Sequence, residues 1–350
     1  MNFFFNKFLK YYISFVEKKL PFFFIHTPFM SSLYYLLFSS KFRREQHSVL
    51  NGKVKYLKSS KFRKDNIYNL IRNIHRIEKG LLMKNRKRIF ALSYIKETTE
   101  IFISVWNQEK TLNDKQFIWF FDVLSEYFNT SGYHPLVDEL KMKFKIFTSN
   151  YNRKKNTISP SIPYCREIDN KADLSYEIFF DLVKYRRSVR WFIDKPVPHE
   201  LIDKAILAAN QSPSACNRQP FQYRIIDEPT LLKNVSKLPM GVKGYEDGIK
   251  MMIVVIGNLD AYFDERDRHL IYIDASLANM TFMLSLETLG LSSCPINWPD
   301  IEKLEIQMEK TLGLEKHQRP IMCMAVGYPD LNQKVAFSEK RNIEYIRKYN

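Results

Sequence analysis

The sequence predicts an α+β protein: an all-helical N-terminal part, then a mixed sheet flanked by helices around one long central helix. Three observations predict this class. Apolar residues recur at helical spacing in several segments before residue 148. Beyond residue 173, four short apolar runs of strand length alternate with amphipathic helices. One helix in that half, at about Leu270–Leu289, is apolar on most sides, as expected for a central, buried helix.

Composition excludes several classes of protein. The 350 residues are 45% hydrophobic and 26% charged, which is typical of a globular chain with room for more than one domain. Only ten glycines occur, and no GxGxxG or GxxxxGK[ST] motif is present, which argues against a dinucleotide or P-loop fold. The four cysteines form no CxxC pair, so we expect no metal site and a reducing, cytoplasmic location.

Residues 1–54 form an apolar and then basic segment. Leu20–Ser40 carries no charge and approaches the length of a membrane span, but Pro21 and Pro28 interrupt it. Residues 41–88 hold 16 Lys or Arg against three acids, a large part of the net charge of +16. Two interpretations remain: the aromatic side chains pack on the rest of the protein, or residues 1–64 contact an anionic membrane surface peripherally. No nucleic-acid-binding motif accompanies the basic stretch, so nucleic acid is not the expected partner.

The helical and strand signals divide the remainder into three parts. Residues 55–148 are predicted to be a helical domain, residues 149–172 a polar linker, and residues 173–350 the domain that contains the sheet. The predicted helices are Ile67–Gly80, Glu97–Trp106, Asn113–Phe128, Leu136–Ile146, Leu174–Lys184, Glu200–Asn210 and Leu270–Leu289. The predicted strands are Phe221–Ile226, Met251–Gly257, Leu291–Ile296 and Ile321–Gly327.

Two clusters in the last part carry ligand-binding chemistry. Residues 186–190 read RRSVR, and three guanidinium groups so close together repel one another unless an anion lies among them. About twenty residues later, SPSACNRQP places two prolines and several small residues in a stiff loop. Asn217 and Gln219 in that loop each offer a hydrogen-bond donor and an acceptor.

These elements, with three later ones, resemble the nitroreductase family. RRSVRWF, SPSACNRQPF, DASLANM, LGLSSCPI and AVGYP follow one another in the order of that family's landmarks, over about residues 174–350. The shorter HRIEKGL stretch at residues 75–81 is similar to a helical extension of nitroreductase-like proteins from surface-polysaccharide gene clusters.

The resemblance implies a set of residues that contact flavin mononucleotide (FMN). The arginine cluster would supply Arg186, Arg187, Ser188 and Arg190. The loop would act from the other subunit of a homodimer, through Pro213, Ser214, Ala215, Asn217 and Gln219. Pro295, Ile296, Asn297 and the following Trp298 would lie near the reactive side of the flavin. Lys340 and Arg341 would close the phosphate site. Some relatives carry an acid where Asn297 stands, which leaves the substrate preference open.

The resemblance also implies an activity: an FMN-dependent oxidoreductase in which NADH or NADPH reduces a small nitro or quinone acceptor by ping-pong hydride transfer. Arg190 would stabilise the negative charge of the reduced ring, and no separate acid–base residue is expected. Two alternatives remain: a dehalogenase or azoline-oxidase variant, and a flavin-binding structural or sensing module in surface-polysaccharide biosynthesis.

Overall fold

The computed structural model describes residues 2–106, 115–149, 151, 159–167 and 172–350. Four helices open the chain: α1 (Asn2–Lys18), α2 (Pro21–Phe24), α3 (Pro28–Leu37) and α4 (Arg43–Lys58). Pro21 and Pro28 lie in the first turns of α2 and α3, where a missing N–H costs nothing, so they divide the uncharged stretch into short helices. In the part of the chain that is described, no helix has both the length and the apolar character needed to cross a membrane.

A helical unit follows, with its own core. It consists of α5 (Ile67–Leu81), α6 (Ile95–Trp106), α7 (Lys115–Thr130) and α8 (Pro135–Thr148), which agree with the predicted helices. The start of the predicted third helix, at residues 113 and 114, lies outside the described residues. Leu70, Ile74, Phe102, Phe120 and Leu140 are fully buried in one cluster, because each helix turns its apolar side inward.

The HRIEKGL stretch is at the C-terminal end of α5, and its residues have structural partners. The Glu78 carboxylate accepts a hydrogen bond from Trp119 Nε1 at 3.2 Å, and its other oxygen lies 3.2 Å from His75 Nδ1. A Cβ at Gly80 would overlap the ring of Phe90. A glycine and a carboxylate at these positions are therefore explained by packing within the helical unit.

The remaining elements build the α+β part, and the predicted fold class is confirmed. They are α9 (Tyr176–Tyr185), α10 (His199–Ala209), β1 (Phe221–Ile226), α11 (Pro229–Val235), β2 (Met251–Asn258), α12 (Leu270–Thr288), β3 (Ser292–Asn297), α13 (Glu302–Leu312) and β4 (Gln318–Gly327). The strand order is β1-β2-β4-β3, and each ladder is antiparallel. A parallel bridge between Ser188 and Ser293 adds a further segment at the β3 edge.

The sheet lies between two apolar layers. On β2, Met252, Val254 and Ile256 face one cluster, while Ile253 and Val255 face another that includes α12. This alternation follows from the two-residue period of a strand. The predicted central helix α12 buries its sheet-facing side, including Ala275 and Phe282. Its other side is exposed in the single chain, where Ile273, Leu277 and Met280 are 52%, 46% and 37% accessible.

Helix α4 connects the N-terminal part to the α+β part. Gly52 packs so closely on the turn after β2 that a Cβ would lie 2.6 Å from the carbonyl carbon and oxygen of Leu259. Lys53 Nζ lies 2.9 Å from Glu265 Oε1. Lys55 Nζ lies 2.9 Å from Glu315 Oε1. Some charges of the basic stretch are thus paired within the chain. The predicted boundary between residues 54 and 55 falls inside α4, and the domain limits stay predictions.

Candidate functional site

The arginine cluster runs along the edge of the sheet. The backbone N–H of Arg186 closes α9 by donating to Leu182 O at 3.0 Å. The chain then extends beside β3, where Ser188 bridges Ser293 and Val189 N donates to Ser293 O at 3.1 Å. Arg190 Nη1 donates to Ser188 O at 3.3 Å. Two segments about a hundred residues apart in sequence are therefore neighbours, as the order of the motifs implies.

Buried polar atoms at this edge have no hydrogen-bond partner within the described part of the chain. They include Arg186 Nε and Ser293 Oγ, which are donors, and Glu287 Oε1, which is an acceptor. The other oxygen of Glu287 accepts from Ser292 Oγ at 3.1 Å. Native structures rarely leave buried donors unpaired, so an unpaired guanidinium and an unpaired hydroxyl on one edge are the features expected of a ligand site.

A cavity of about 190 Å³ adjoins the cluster. It is lined by Tyr185, Arg187, Val189, Arg190, Trp191, Glu287, Ser292, Pro329, Asp330, Leu331, Gln333, Lys334 and Val335. Arg187 Nη1 donates to Phe337 O at 3.0 Å, which ties the C-terminal tail to this side. Lys340 and Arg341 follow in the tail, are exposed, and make local contacts with Glu339 and Tyr345.

Arg190 also contacts a residue that the sequence analysis did not select. Its guanidinium lies 5.9 Å from the ring centre of Tyr245. The Tyr245 hydroxyl is 3.8 Å from Cys294 Sγ. Burial raises the pKa of the Cys294 thiol, so this cysteine is held as a neutral group in the core. Tyr245 lies between two short 3₁₀ turns in an aperiodic loop, and no sequence signal could have identified it.

The residues that were predicted to lie near the reactive side of the flavin are at the end of β3 or directly after it. Pro295, Ile296 and Asn297 pair with β4, and Asn297 is exposed at the end of the strand. Ile296 is buried in the core, so it can meet a ligand at this edge only through its backbone. Trp298, directly after β3, is buried and donates from Nε1 to Glu305 Oε1 at 2.6 Å.

The SPSACNRQP loop is held on itself and on α12. Three of its non-glycine residues have positive φ: Cys216 at 53°, Asn217 at 56° and Gln219 at 50°. Such conformations cost free energy and persist where the surroundings enforce them. Gln219 N donates to Ser214 Oγ at 3.1 Å, Gln219 Nε2 donates to Asn217 Oδ1 at 2.9 Å, and Ala215 N donates to Asp274 Oδ2 at 3.0 Å. Pro213 belongs to the same loop. The loop is therefore anchored on α12, whereas the arginine cluster is anchored on β3.

The partly buried carboxyl group of Glu287 should make the stability of the folded protein depend on pH. Burial raises its pKa from 4.5 to about 7, although Ser292 and Arg186 oppose the rise. The native state therefore keeps this proton at pH values where the unfolded chain has lost it. The contribution is fully favourable below pH 4.5 and is lost as the pH rises through about 7.

Glu287→Gln, in protein free of added ligands, should thus raise the free energy of unfolding by about 1–2 kcal/mol at pH 8 and by much less at pH 5, allowing for partial solvent screening. Urea unfolding at both pH values measures this, with the exposed Glu344→Gln as the control. An equal effect of Glu287→Gln at the two pH values would contradict the assignment.

Within the described residues, no group of three or more His, Cys, Asp or Glu side chains is placed to hold a metal ion.

Comparison with known proteins finds a matching family. The model of the nitroreductase family matches residues 183–242 and 247–328, which include the arginine cluster, the loop and all four strands. The C-terminal part of this chain is thus similar to the nitroreductase family. The resemblance inferred from the motifs is thereby confirmed.

Several relatives match this nitroreductase-family part. A Methanothermobacter thermautotrophicus protein, provisionally named an NADH dehydrogenase/NAD(P)H nitroreductase, is 26% identical over 156 residues, 43% of this chain and 78% of its own length. Rat iodotyrosine deiodinase 1 is 22% identical over 199 residues, 48% of this chain and 68% of its own. The structure of an FMN-dependent nitroreductase from Clostridium difficile aligns with 49% of this chain and 99% of its own, at 22% identity and a TM-score of 0.42.

Proposed function

We propose that the chain is an FMN-dependent oxidoreductase that uses NADH or NADPH to reduce a small electrophilic acceptor of the nitro or quinone type, by ping-pong hydride transfer. The observation that carries this proposal is the arginine cluster beside β3, with Arg186 Nε and Ser293 Oγ buried and unpaired among the described residues. The name of one relative, an NADH dehydrogenase/NAD(P)H nitroreductase, supports it.

The residues present fit FMN. Arg186, Arg187, Ser188 and Arg190 would hold its anionic and carbonyl groups, since guanidinium groups recognise both in a planar, bidentate manner. Lys340 and Arg341 would close on the phosphate from the tail. When bound, FMN supplies hydride acceptance and donation at its N5 atom.

The protein side of the chemistry is electrostatic. Arg190 holds a fixed positive charge at the cluster, and the Tyr245 ring and the Ser188 carbonyl orient it. A preoriented cation stabilises negative charge that develops during reduction without reorganising at that moment. Asn297, exposed at the end of β3, offers a neutral amide to an incoming acceptor.

We propose a homodimer in which the loop residues Pro213, Ser214, Ala215, Asn217 and Gln219 complete the partner's site. A groove of about 950 Å³ on α9 and α12 supports a partner there, because exposed apolar side chains such as Ile273 and Leu277 line it and contiguous exposed apolar surface marks interfaces. Analytical ultracentrifugation of the FMN-loaded protein tests this proposal, which a fully loaded monomer would contradict.

The direct test of the function is the visible spectrum of the purified full-length chain, before and after NADH or NADPH is added without oxygen. We expect a yellow protein whose visible flavin absorbance is lost on adding the nicotinamide and returns with a nitro or quinone acceptor. A colourless protein that takes up no added FMN would overturn the proposal. Bound FMN that neither nicotinamide bleaches would favour the structural or sensing alternative.

Reductive dehalogenation is a second candidate, because several matched relatives are iodotyrosine deiodinases. Azoline oxidation is a further variant of the same flavin chemistry. An anaerobic comparison of nitroaromatic, quinone and halotyrosine acceptors, with an aerobic azoline test, separates these activities.

Residues 1–64 are proposed to contact an anionic membrane surface peripherally from the cytoplasmic side. Phe22 and Phe23 are 74% and 63% exposed in α2, close to Lys18 and Lys19. Aromatic and basic side chains together suit a lipid interface. Flotation of the full chain with anionic and with zwitterionic vesicles tests this. Equal recovery from both would contradict it.

A further inference from the structure

A buried charge network joins helix α4 to the segment that follows β3. Its centre is Glu305 of α13, whose side chain is 1% exposed. Arg44, near the start of α4, is 13% exposed and places Nε 3.3 Å from Glu305 Oε2. The same guanidinium pairs with Glu309 and lies 3.5 Å from Glu302, so three carboxylates of one helix hold it.

Two further groups share the Glu305 carboxylate. Arg319 Nε of β4 lies 3.2 Å from Oε2, within ion-pair distance but off the direction of a hydrogen bond. Arg319 Nη2 donates instead to Asp300 Oδ1 at 2.9 Å. The other oxygen, Oε1, accepts the 2.6 Å hydrogen bond from Trp298. One carboxylate thus lies between Arg44 on one side and the Trp298 indole on the other.

Arg44 affects the charge on this carboxylate. Burial raises the pKa of Glu305, while Arg319, Trp298 and Arg44 favour the ionised form and Asp300 opposes it. A short N–H···O⁻ bond is strongest when the acceptor is ionised. Arg319 is shared with Asp300. Without Arg44, Glu305 would therefore be ionised less fully, and its carboxylate would be held less firmly in position. The indole of Trp298 is then held less firmly.

Trp298 connects this network to the proposed flavin site, because it directly follows Asn297, which is exposed at the end of β3. We infer that Arg44 is a positioning residue of the flavin site: through Glu305 it orients Trp298, and thereby Asn297, beside the acceptor. Arg44 lies outside residues 183–328, which contain the matched segments. Helix α4 would thus contribute to a site whose other residues lie in the part that matches the family. The inference rests on the proposed function.

The test compares full-length, FMN-loaded Arg44→Met with Lys53→Ala. Methionine keeps the packing of the arginine stem and removes the charge. Lys53 lies on the same helix as Arg44 and forms an exposed ion pair with Glu265, which lies outside that helix. We expect Arg44→Met to lower kcat/KM for a nitro or quinone acceptor about tenfold, because small misplacements at a reacting centre are costly. The visible circular dichroism of the flavin should change, while FMN content stays that of Lys53→Ala. Arg44→Lys should recover part of the loss.

A double variant tests the route. Trp298→Phe removes the indole donor together with part of the buried ring, so it should lower kcat/KM at least as much as Arg44→Met does. Because Arg44 acts through Trp298, Arg44→Met with Trp298→Phe should be no worse than the more impaired single variant. Additive losses, or Arg44→Met kinetics equal to those of Lys53→Ala, would overturn the inference. Failure of the proposed function is distinguishable, because the unaltered protein would then bind no FMN or would not be reduced by NADH or NADPH.

Discussion

Replacing Arg186 with alanine is expected to weaken FMN binding by about ten- to a hundredfold. The Nε atom of this residue is buried and lacks a hydrogen-bond partner among the described residues, so a ligand at the sheet edge would satisfy it. A hydrogen bond to a charged group contributes about 1.5–3 kcal/mol, and each 1.4 kcal/mol is a factor of ten in affinity. The dissociation constant can be measured by quenching of FMN fluorescence during titration of the apoprotein.

A matched control separates the role of this position from the loss of one positive charge. Arg266 is an exposed arginine of the same part of the chain, and Arg266→Ala should leave FMN affinity unchanged. Arg186→Lys should give an intermediate affinity, because an ammonium keeps the charge but lacks the planar pair of donors. If Arg186→Ala bound FMN as tightly as Arg266→Ala does, the arginine cluster could not be the flavin site.

Gly52→Ala is expected to destabilise the protein by about 1–3 kcal/mol, because the new methyl group would overpack a closed interface. Its Cβ would lie 2.6 Å from backbone atoms of Leu259, and a backbone cannot rotate away as a flexible side chain does. Helix α4 must then move away from the turn after β2. The overpacking opposes a gain of about 1 kcal/mol from the higher helix propensity of alanine, so the sign of the effect reports on the contact itself. Thermal melting measures it.

Gly248→Ala is the control for this substitution, because a Cβ there would meet nothing within 4 Å and the backbone needs no positive φ. Limited trypsin digestion gives a second measurement, since Lys53 and Lys55 should become accessible when α4 is displaced. A Gly52→Ala protein that melted at or above the unaltered protein would show that α4 does not dock on Leu259.

The sequence predicted the α+β part well because its signals are local. The four strands are apolar runs bounded by polar turns, and the observed bounds of β1, β2 and β3 agree with the predicted ones to within about one residue, while β4 begins three residues earlier, at Gln318. Helices α11 and α13 were not predicted. Helix α11 has only seven residues, and α13 is largely polar, so neither gives a strong apolar period.

The N-terminal part shows where local signals end. Pro21 and Pro28 correctly indicated that this stretch is not one continuous helix. That each of them begins a helix was seen only in the structure. The basic stretch gave no indication that Arg44 has its partners on α13, because Arg44 and Glu305 are separated by 261 residues. Similarly, the order of the motifs implied that the arginine cluster and β3 are neighbours. Tyr245 was identified only in the structure, from its contact with Arg190.

The docking of α4 has a practical consequence for dividing this chain. A fragment that began at residue 173 would keep Glu265, Glu302, Glu305 and Glu309 but lose Lys53 and Arg44, which pair with them. Arg319 and Lys316 would remain as partners of Glu305 and Glu309. Its surface would then carry an excess of negative charge where α4 had been docked, and one of these carboxylates, Glu305, is buried. Such a fragment would lose stability as the pH rises and Glu305 ionises, because burial raises the pKa of this carboxyl and Arg44 would no longer stabilise its charge.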